Sequence, residues 1–307
     1  MIESIDSLLS CAKKQGKRKI AVACAHDNHV LRSIDDLHKA NVVDAILIGS
    51  ENKIRQIAQD HKIDLSEYQI LNVEDKNEAC RLAVTLAKKG EAHAVMKGLV
   101  DTSIILKAVL DKDIGLRCAR HLSHVALFEI PGFERLLLVT DSAMNIAPDL
   151  EAKKDIIANS VLVANAIGIK KPVVACLCAV EKVNPKMPAT VDAAELVRAN
   201  IAGELEHCTV IGPVALDNAI SVEAAKHKGI TDPNAGYADI LLVPNIETGN
   251  VLYKSLVYLA RSKVASLIVG AKVPVIITSR ADNVQSKVHS ILFALALAPK
   301  EGELIDK

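Results

Sequence analysis

The sequence predicts an α/β protein of two domains with open, mostly parallel sheets. Length is the first reason: 307 residues exceed what a single core usually serves. Composition is the second. Half the residues are hydrophobic, and they are aliphatic, with no Trp, three Phe and four Tyr. The third is pattern. Short β-rich runs, apolar throughout instead of alternating, recur between longer helical segments, as in strands covered on both faces.

The elements follow in order. "MIESIDSLLSCAKKQGKRK" reads as a short amphipathic helix, with acidic residues early and basic residues late, and not as a signal peptide. Six strands are expected from "KIAVACA", "VVDAILIGS", "YQILNVE", "HAVMKGL", "HVALFEI" and "RLLLVTD". "DLEAKKDIIANSVLVANAIGI" is a helix with Pro148 as its first-turn proline. Five more strands come from "KPVVACLCAV", "CTVIGPVAL", "ADILLVPN", "SLIVGA" and "PVIITS". A last helix from about Asp282 sets Val284, Val288, Ile291, Leu292 and Leu295 on one face. The loop "SAMNIAP" is the expected boundary, giving a first domain of residues 1–145 plus 270–307 and a second of 146–269.

Lys plus Arg equals Asp plus Glu, 37 each. A net charge of zero removes the electrostatic reason to expect nucleic acid or a membrane surface as partner. Few aromatics also argue against binding single strands by base stacking. The seven cysteines are odd in number, form no CxxC and lie mostly in apolar runs, which reads as buried thiols in a reducing compartment. No zinc pattern and no bilayer-spanning stretch appear, so the expectation is a cytoplasmic protein without a metal.

Open parallel sheets bind ligands beyond the carboxyl ends of their strands. Four such ends are polar here. "VMKGLVDTS" offers Lys97, Asp101, Thr102 and Ser103; "RLLLVTDSAMN" offers Thr140, Asp141, Ser142 and Asn145. "ILLVPNIETGN" offers Asn245, Glu247, Thr248 and Asn250, and "VIITSRADNVQSK" offers Ser279, Arg280 and Asp282. Each has a plain reading. Asp101 or Thr102 caps a helix, Asp141 holds its own loop, "NIETGN" is a capped helix start, and Asp282 caps the last helix. Arg280 stands out. At a strand end before a helix N-terminus, backbone donors and a guanidinium fork converge on an anion, and Ser279 adds a hydroxyl. The alternative is a surface arginine paired with Asp282. No G-x-x-x-x-G-K-[ST], no G-x-G-x-x-G after the first strand and no G-x-S-x-G occurs. His26 and His29 of "AHDNH" lack a third ligand and read as polar loop residues.

"LSHVALFEIPGFERLLLVTDSAMNIAPDLEAKKDII", "VEKVNPKMPATVDAAEL", "GPVALDNAIS", "ADILLVPNIETGNVLYKSLVYLARSKVASLIVGAK" and "TSRADNVQSK" closely resemble the phosphate acetyl/butyryltransferase family, from about Ala94 to Leu297. The resemblance implies transfer of a short acyl group between coenzyme A and phosphate. On the butyryl side that is butyryl-CoA plus phosphate giving butyryl phosphate plus CoA. It implies two α/β domains with a cleft between them, a fold like that of isocitrate and isopropylmalate dehydrogenases, a homodimer or larger assembly, and no cofactor, CoA and phosphate being substrates. The family's serine–arginine pair matches Ser279 and Arg280, and a second arginine matches Arg135. A third arginine of the acetyl branch has Lys97 before its turn and Lys107 after it here. The acetyl branch's carboxylate, seven residues after the serine, is replaced by Ser286, whereas the butyryl branch's Asp matches Asp282, either as base or as orienter of Arg280. The expected site is therefore Ser279, Arg280 and Asp282 as catalytic residues, with Arg135, Arg280 and Lys97 on phosphate. Thr102, Asp141, Asn145 and Asn245 are the expected substrate contacts. The competing readings are acetyl or another short or branched acyl group, a non-catalytic CoA or acyl-phosphate sensor, and a metal-dependent hydroxyacid dehydrogenase of similar fold.

Overall fold

The computed structural model describes residues 2–279 and 282–298. The chain begins with α1 (Ser7–Gln15), β1 (Arg18–Ala23), α2 (Asn28–Lys39), β2 (Val43–Gly49), α3 (Glu51–His61), β3 (Gln69–Asn72), α4 (Lys76–Lys88), β4 (Ala94–Lys97) and α5 (Thr102–Val109). It continues with β5 (Ser123–Glu129), β6 (Leu137–Thr140), α6 (Leu150–Ala166), β7 (Val173–Leu177), α7 (Pro188–Ile201), β8 (Thr209–Val214), α8 (Leu216–Ile220), α9 (Val222–His227), β9 (Ile240–Leu242) and α10 (Ile246–Lys254). It closes with β10 (Lys263–Val269), β11 (Val275–Ile276) and α11 (Val284–Leu297). Two compact units result: a terminal unit of residues 6–120 with 265–307, and a central unit of residues 1–5 with 121–264. The boundary expected at residue 145 falls inside the central unit, because β5 and β6 pair with each other and β6 with β9.

In the terminal unit the strand order is β3-β2-β1-β4-β11-β10. All neighbours run parallel except β10, which is antiparallel to β11. β1 is apolar along nearly its whole length because helices cover both faces, and Ile20 to Ala23 are fully buried. The strand order reverses direction between β1 and β4, which opens a crevice at their carboxyl ends. α2 starts where Asp27 accepts the Val30 amide at 2.9 Å, and it buries Val30, Leu31, Ile34 and Leu37. α11 is buried from Lys287 through Leu295 and packs on α1 and α2.

In the central unit the order is β5-β6-β9-β7-β8, parallel except for the β5–β6 hairpin. Its core gathers Phe128, Leu137, Val139, Ala175, Ile211 and Leu241. All eleven expected strands are present. Two details differ from expectation. Pro148 precedes the cap of α6 instead of sitting in its first turn, since Asp149 is the cap and accepts the Ala152 amide at 2.8 Å. α11 begins at Val284, capped by Asn283, whose Oδ1 accepts the Ser286 amide at 2.8 Å, so Asp282 is not the cap.

Candidate active site

In the terminal unit, the β1 and β4 tips touch. The Gly98 amide donates to Ala23 O at 2.8 Å and the Leu99 amide to Cys24 O at 2.9 Å. A Cβ at Gly98 would meet Cys24 O at 2.2 Å, so only glycine permits this approach. Lys97, at the end of β4, is buried, and its Nζ donates to Gly98 O at 3.3 Å and Val100 O at 3.2 Å. It therefore braces the turn that leads to α5. Thr102 is the exposed first residue of that helix.

β11 lies beside β4, with Ile276 opposite Met96, so Thr278 and Ser279 leave the sheet next to Lys97 and Gly98. The tip is closed by reciprocal bonds. The Ser279 amide donates to Asp282 Oδ2 at 2.7 Å, and the Asp282 amide donates to Ser279 O at 3.2 Å. Asp282 is thus bonded to Ser279 at the tip; Arg280 lies outside the described residues. Lys287, from the first turns of α11, is buried, and its Nζ donates to Thr278 Oγ1 at 3.1 Å and Ser279 O at 2.9 Å. Burial pushes its ammonium down from the usual lysine value, against the attraction of Asp282 and Asp27. Sequence reading overlooked Lys287. Its signal was position: it falls on the same face as Val284 and Ile291, where a lysine is out of place.

Alongside, at the carboxyl ends of β1, β2 and β4, an open groove of about 600 Å³ is lined by His26, Asn52, Lys53, Gln56, Ile57, Lys76 and Leu99. Two exposed lysines at helix starts and two aliphatic side chains make a surface that is cationic and apolar at once. Burial pushes the His26 imidazole down, and Lys53 and Lys76 push it further. Its Nδ1 is buried without a hydrogen-bond partner among the described residues.

The central unit gathers Asp141, Asn145 and Asn245. β6 and β9 run side by side, Thr140 opposite Leu242, so their loops adjoin. Asp141 Oδ1 accepts the amides of Ala143 and Met144, both at 2.9 Å. Its Oδ2 accepts the Asn145 amide at 3.2 Å and Asn145 Nδ2 at 2.6 Å. The carboxylate is satisfied inside its own loop. Asn145 Nδ2 also reaches Leu122 O at 2.9 Å, and Asn245 Oδ1 caps α10 by accepting the Thr248 amide at 2.9 Å. Below, Thr140 Oγ1 donates to His124 O and Ser142 bonds the His124 ring, all three residues buried. α10 comes so close that a Cβ at Gly249 would lie 2.6 Å from Asp141 O.

Arg135 is not brought to this tip. It precedes β6, at the strand's amino end, and its Nη2 donates to Gly236 O at 2.8 Å. Its guanidinium also lies 4.8 Å from the Phe133 ring centroid and adjoins Asp239. Because β6 and β9 are parallel, the segment before β9 sits at that same amino end, and Arg135 clasps it.

Two compact units built on mostly parallel strands, with a lysine-flanked groove at a sheet crevice, define an α/β protein of the two-unit, mostly parallel kind. The chain belongs to the phosphate acetyl/butaryl transferase family, whose model matches residues 4–81 and 74–295. It is 47% identical over 298 residues to a phosphate butyryltransferase of Clostridium acetobutylicum, covering 97% of this chain and 99% of the other. It is 44% identical over 294 residues to a phosphate acetyltransferase of Thermotoga maritima, covering 96% and 99%. The crystal structure of a branched-chain phosphotransacylase from Enterococcus faecalis matches with a TM-score of 0.80 at 34% identity, over 91% of this chain and 98% of that one. At the level of fold alone, a 4-hydroxythreonine-4-phosphate dehydrogenase from Klebsiella pneumoniae matches with a TM-score of 0.54 at 14% identity, over 92% and 100%. The dehydrogenase-like architecture expected from the sequence is therefore present.

Proposed function

We propose that the chain transfers a butyryl group between coenzyme A and phosphate. The reading is carried by the near-full-length identity to a phosphate butyryltransferase. The terminal unit adds physical support. The β11 tip presents Ser279 with its backbone already fixed, and the neighbouring groove is suited to the nucleotide half of CoA: its lysines face phosphates, while Ile57 and Leu99 face an adenine ring. Its volume lies within the ordinary range of small-molecule sites, roughly 300–1,000 Å³.

In this scheme a phosphate oxygen attacks the thioester carbon, the C–O bond forms, the C–S bond breaks, and CoA leaves as a thiolate that takes up a proton. The protein holds the two substrates at attack distance and supports charge on the carbonyl oxygen. Arg280 supplies the planar fork for phosphate, Ser279 a hydroxyl donor, and Lys97 a positive charge at the adjoining tip. Asp282 holds the Ser279 amide. Transfer is direct. Burial pushes the Cys176 thiol up and the Cys178 thiol up to about 11, which leaves neither as a ready nucleophile. The Cys80 hydrogen bond holds Cys24 below its ordinary value, but that thiol is 1% exposed. Neither substrate nor product calls for a cofactor.

A homodimer or larger assembly accompanies this reading, supported by the exposed Val251, Tyr258 and Leu259 on and just after α10; light scattering tests it. A cytoplasmic location is supported by seven free thiols. No helix among the described residues is long and apolar enough to cross a membrane. Acetyl transfer is the second reading, favoured by the acetyltransferase relative. Phosphate-dependent CoA release across acetyl-, propionyl-, butyryl- and isobutyryl-CoA decides between them. Butyryl-CoA is expected to react with the highest kcat/KM; a clear preference for acetyl-CoA reverses the assignment.

A further inference from the structure

Lys287 sits where a lysine is costly. It is 2% exposed, and it is the fourth residue of α11, close to the positive end of the helix dipole. Val288, Ile291 and Leu292 are buried near it on the helix, as are the polar His289 and Ser290. A methionine would fill the same space without a charge to desolvate, and replacing a buried ionic group by a matched apolar one is often neutral or stabilising. Stability alone therefore does not account for the residue. What methionine cannot do is donate to Thr278 Oγ1 and Ser279 O.

Those bonds complete a clamp on a single residue. The Ser279 amide is held by Asp282 Oδ2, and its carbonyl receives both the Asp282 amide and the Lys287 ammonium. With its amide and its carbonyl both held, Ser279 has little freedom at the end of β11. We propose that Lys287 is a positioning residue for the transfer reaction: its buried ammonium sets the Ser279 carbonyl and so holds Ser279 in place at the end of β11. The proposal rests on the β11 tip being the phosphate site. Lys287 acts through Ser279 and touches no substrate. Burial pushes the ammonium down, and the carboxylates of Asp282, in the tip, and Asp27, the cap of α2, push the other way.

The test compares purified Lys287→Met, Lys287→Arg, Thr278→Val and Arg280→Ala with the parent protein, by phosphate-dependent CoA release from butyryl-CoA and by thermal melting. Lys287→Met is expected to melt at or above the parent temperature and to raise the phosphate KM about tenfold, a loss in keeping with misplacing a reacting group by a fraction of an ångström. Its acyl-CoA KM stays within about twofold, because the clamp serves phosphate. Lys287→Arg keeps a donor and recovers part of the loss. Thr278→Val removes one acceptor but keeps the lysine, so it decides the matter if Lys287→Met does not fold: a raised phosphate KM supports the clamp and an unchanged one overturns it. Parental phosphate kinetics in folded Lys287→Met, beside an impaired Arg280→Ala, overturn the clamp while leaving the site in place. Parental kinetics in Arg280→Ala as well overturn the phosphate site and the clamp together.

Discussion

Asp141 offers a direct test of whether a carboxylate at a strand tip serves a ligand or its own loop. It is 2% exposed and accepts four hydrogen bonds from residues 143–145. Asp141→Ala removes all four. Each is worth about 0.5–1.5 kcal/mol net, and the lower half applies to the amide of Ala143, an exposed residue whose donor can turn to water. The sum is roughly 3 kcal/mol. Asp141→Asn is more selective. Its oxygen can keep the Ala143 and Met144 amides, but its NH₂ then faces the Asn145 amide and Nδ2, donor against donor. That change costs roughly 2 kcal/mol, the loss of two bonds with their donors left unpaired. At about 2–4 °C per kcal/mol for a unit of this size, alanine lowers the melting temperature by roughly 6–12 °C and asparagine by somewhat less. Urea unfolding followed by circular dichroism, beside the phosphate and acyl-CoA KM values, measures both effects. Melting within 2 °C of the parent for both variants, with a KM raised tenfold, would falsify the loop role and make Asp141 a substrate contact (the ~1.4 kcal/mol equivalent of tenfold being far below the stability loss expected here).

Four further outcomes are expected. Arg135→Ala frees the Gly236 carbonyl and the Phe133 ring face, so it should lower the melting temperature and leave the phosphate KM alone; a raised KM at unchanged melting would return Arg135 to the phosphate site. Gly249→Ala drives a Cβ against Asp141 O and should cost about 1–3 kcal/mol with slower turnover, and a neutral effect in urea unfolding would show that α10 can withdraw at no cost. Cys178→Ser should keep kcat within about twofold, since its thiol is pushed up by burial and takes no part in direct transfer; loss of activity in the folded variant argues for an acyl-enzyme. His26 has its pKa lowered in the folded state, so the unfolded chain binds more protons as pH falls through 6.5, and stability is lost from there down through the folded value. His26→Asn should flatten that acid-side loss in melting curves between pH 7 and 5, and an unchanged slope removes His26 as its cause.

Sequence pattern reached the strands because burial on both faces leaves a continuous apolar run, and every such run is a strand here. It did not reach their directions. β5 and β10 are as apolar as β1, yet β5 runs against β6 and β10 against β11, since coverage by neighbours fixes composition and not polarity. Caps shifted by one residue for a similar reason. Asp282 and Asn283 are both good caps by type, and only the tip turn, which spends Asp282 on the Ser279 amide, leaves Asn283 for the helix.

The grouping of the candidate residues was legible by strand end and less so by strand sense. Lys97, Thr102, Ser279 and Asp282 collect in the terminal unit because β4 and β11 are parallel neighbours, and Asp141, Asn145 and Asn245 collect in the central unit because β6 and β9 are. Arg135 precedes its strand instead of following it, and a four-residue strand spans about 13 Å at 3.3 Å per residue, so it sits at the end of β6 away from Asp141. The same rule would have flagged His26, Lys53 and Lys76, each of which follows a strand, had loops been weighed by which end of the strand they leave. Lys287 obeys no strand rule. It reaches the tip from the helix behind, and its signal is a charge on an apolar face. A cation that the helix dipole and burial both oppose needs hydrogen-bond partners to offset that cost. In this chain those partners are Thr278 and Ser279, at the end of β11.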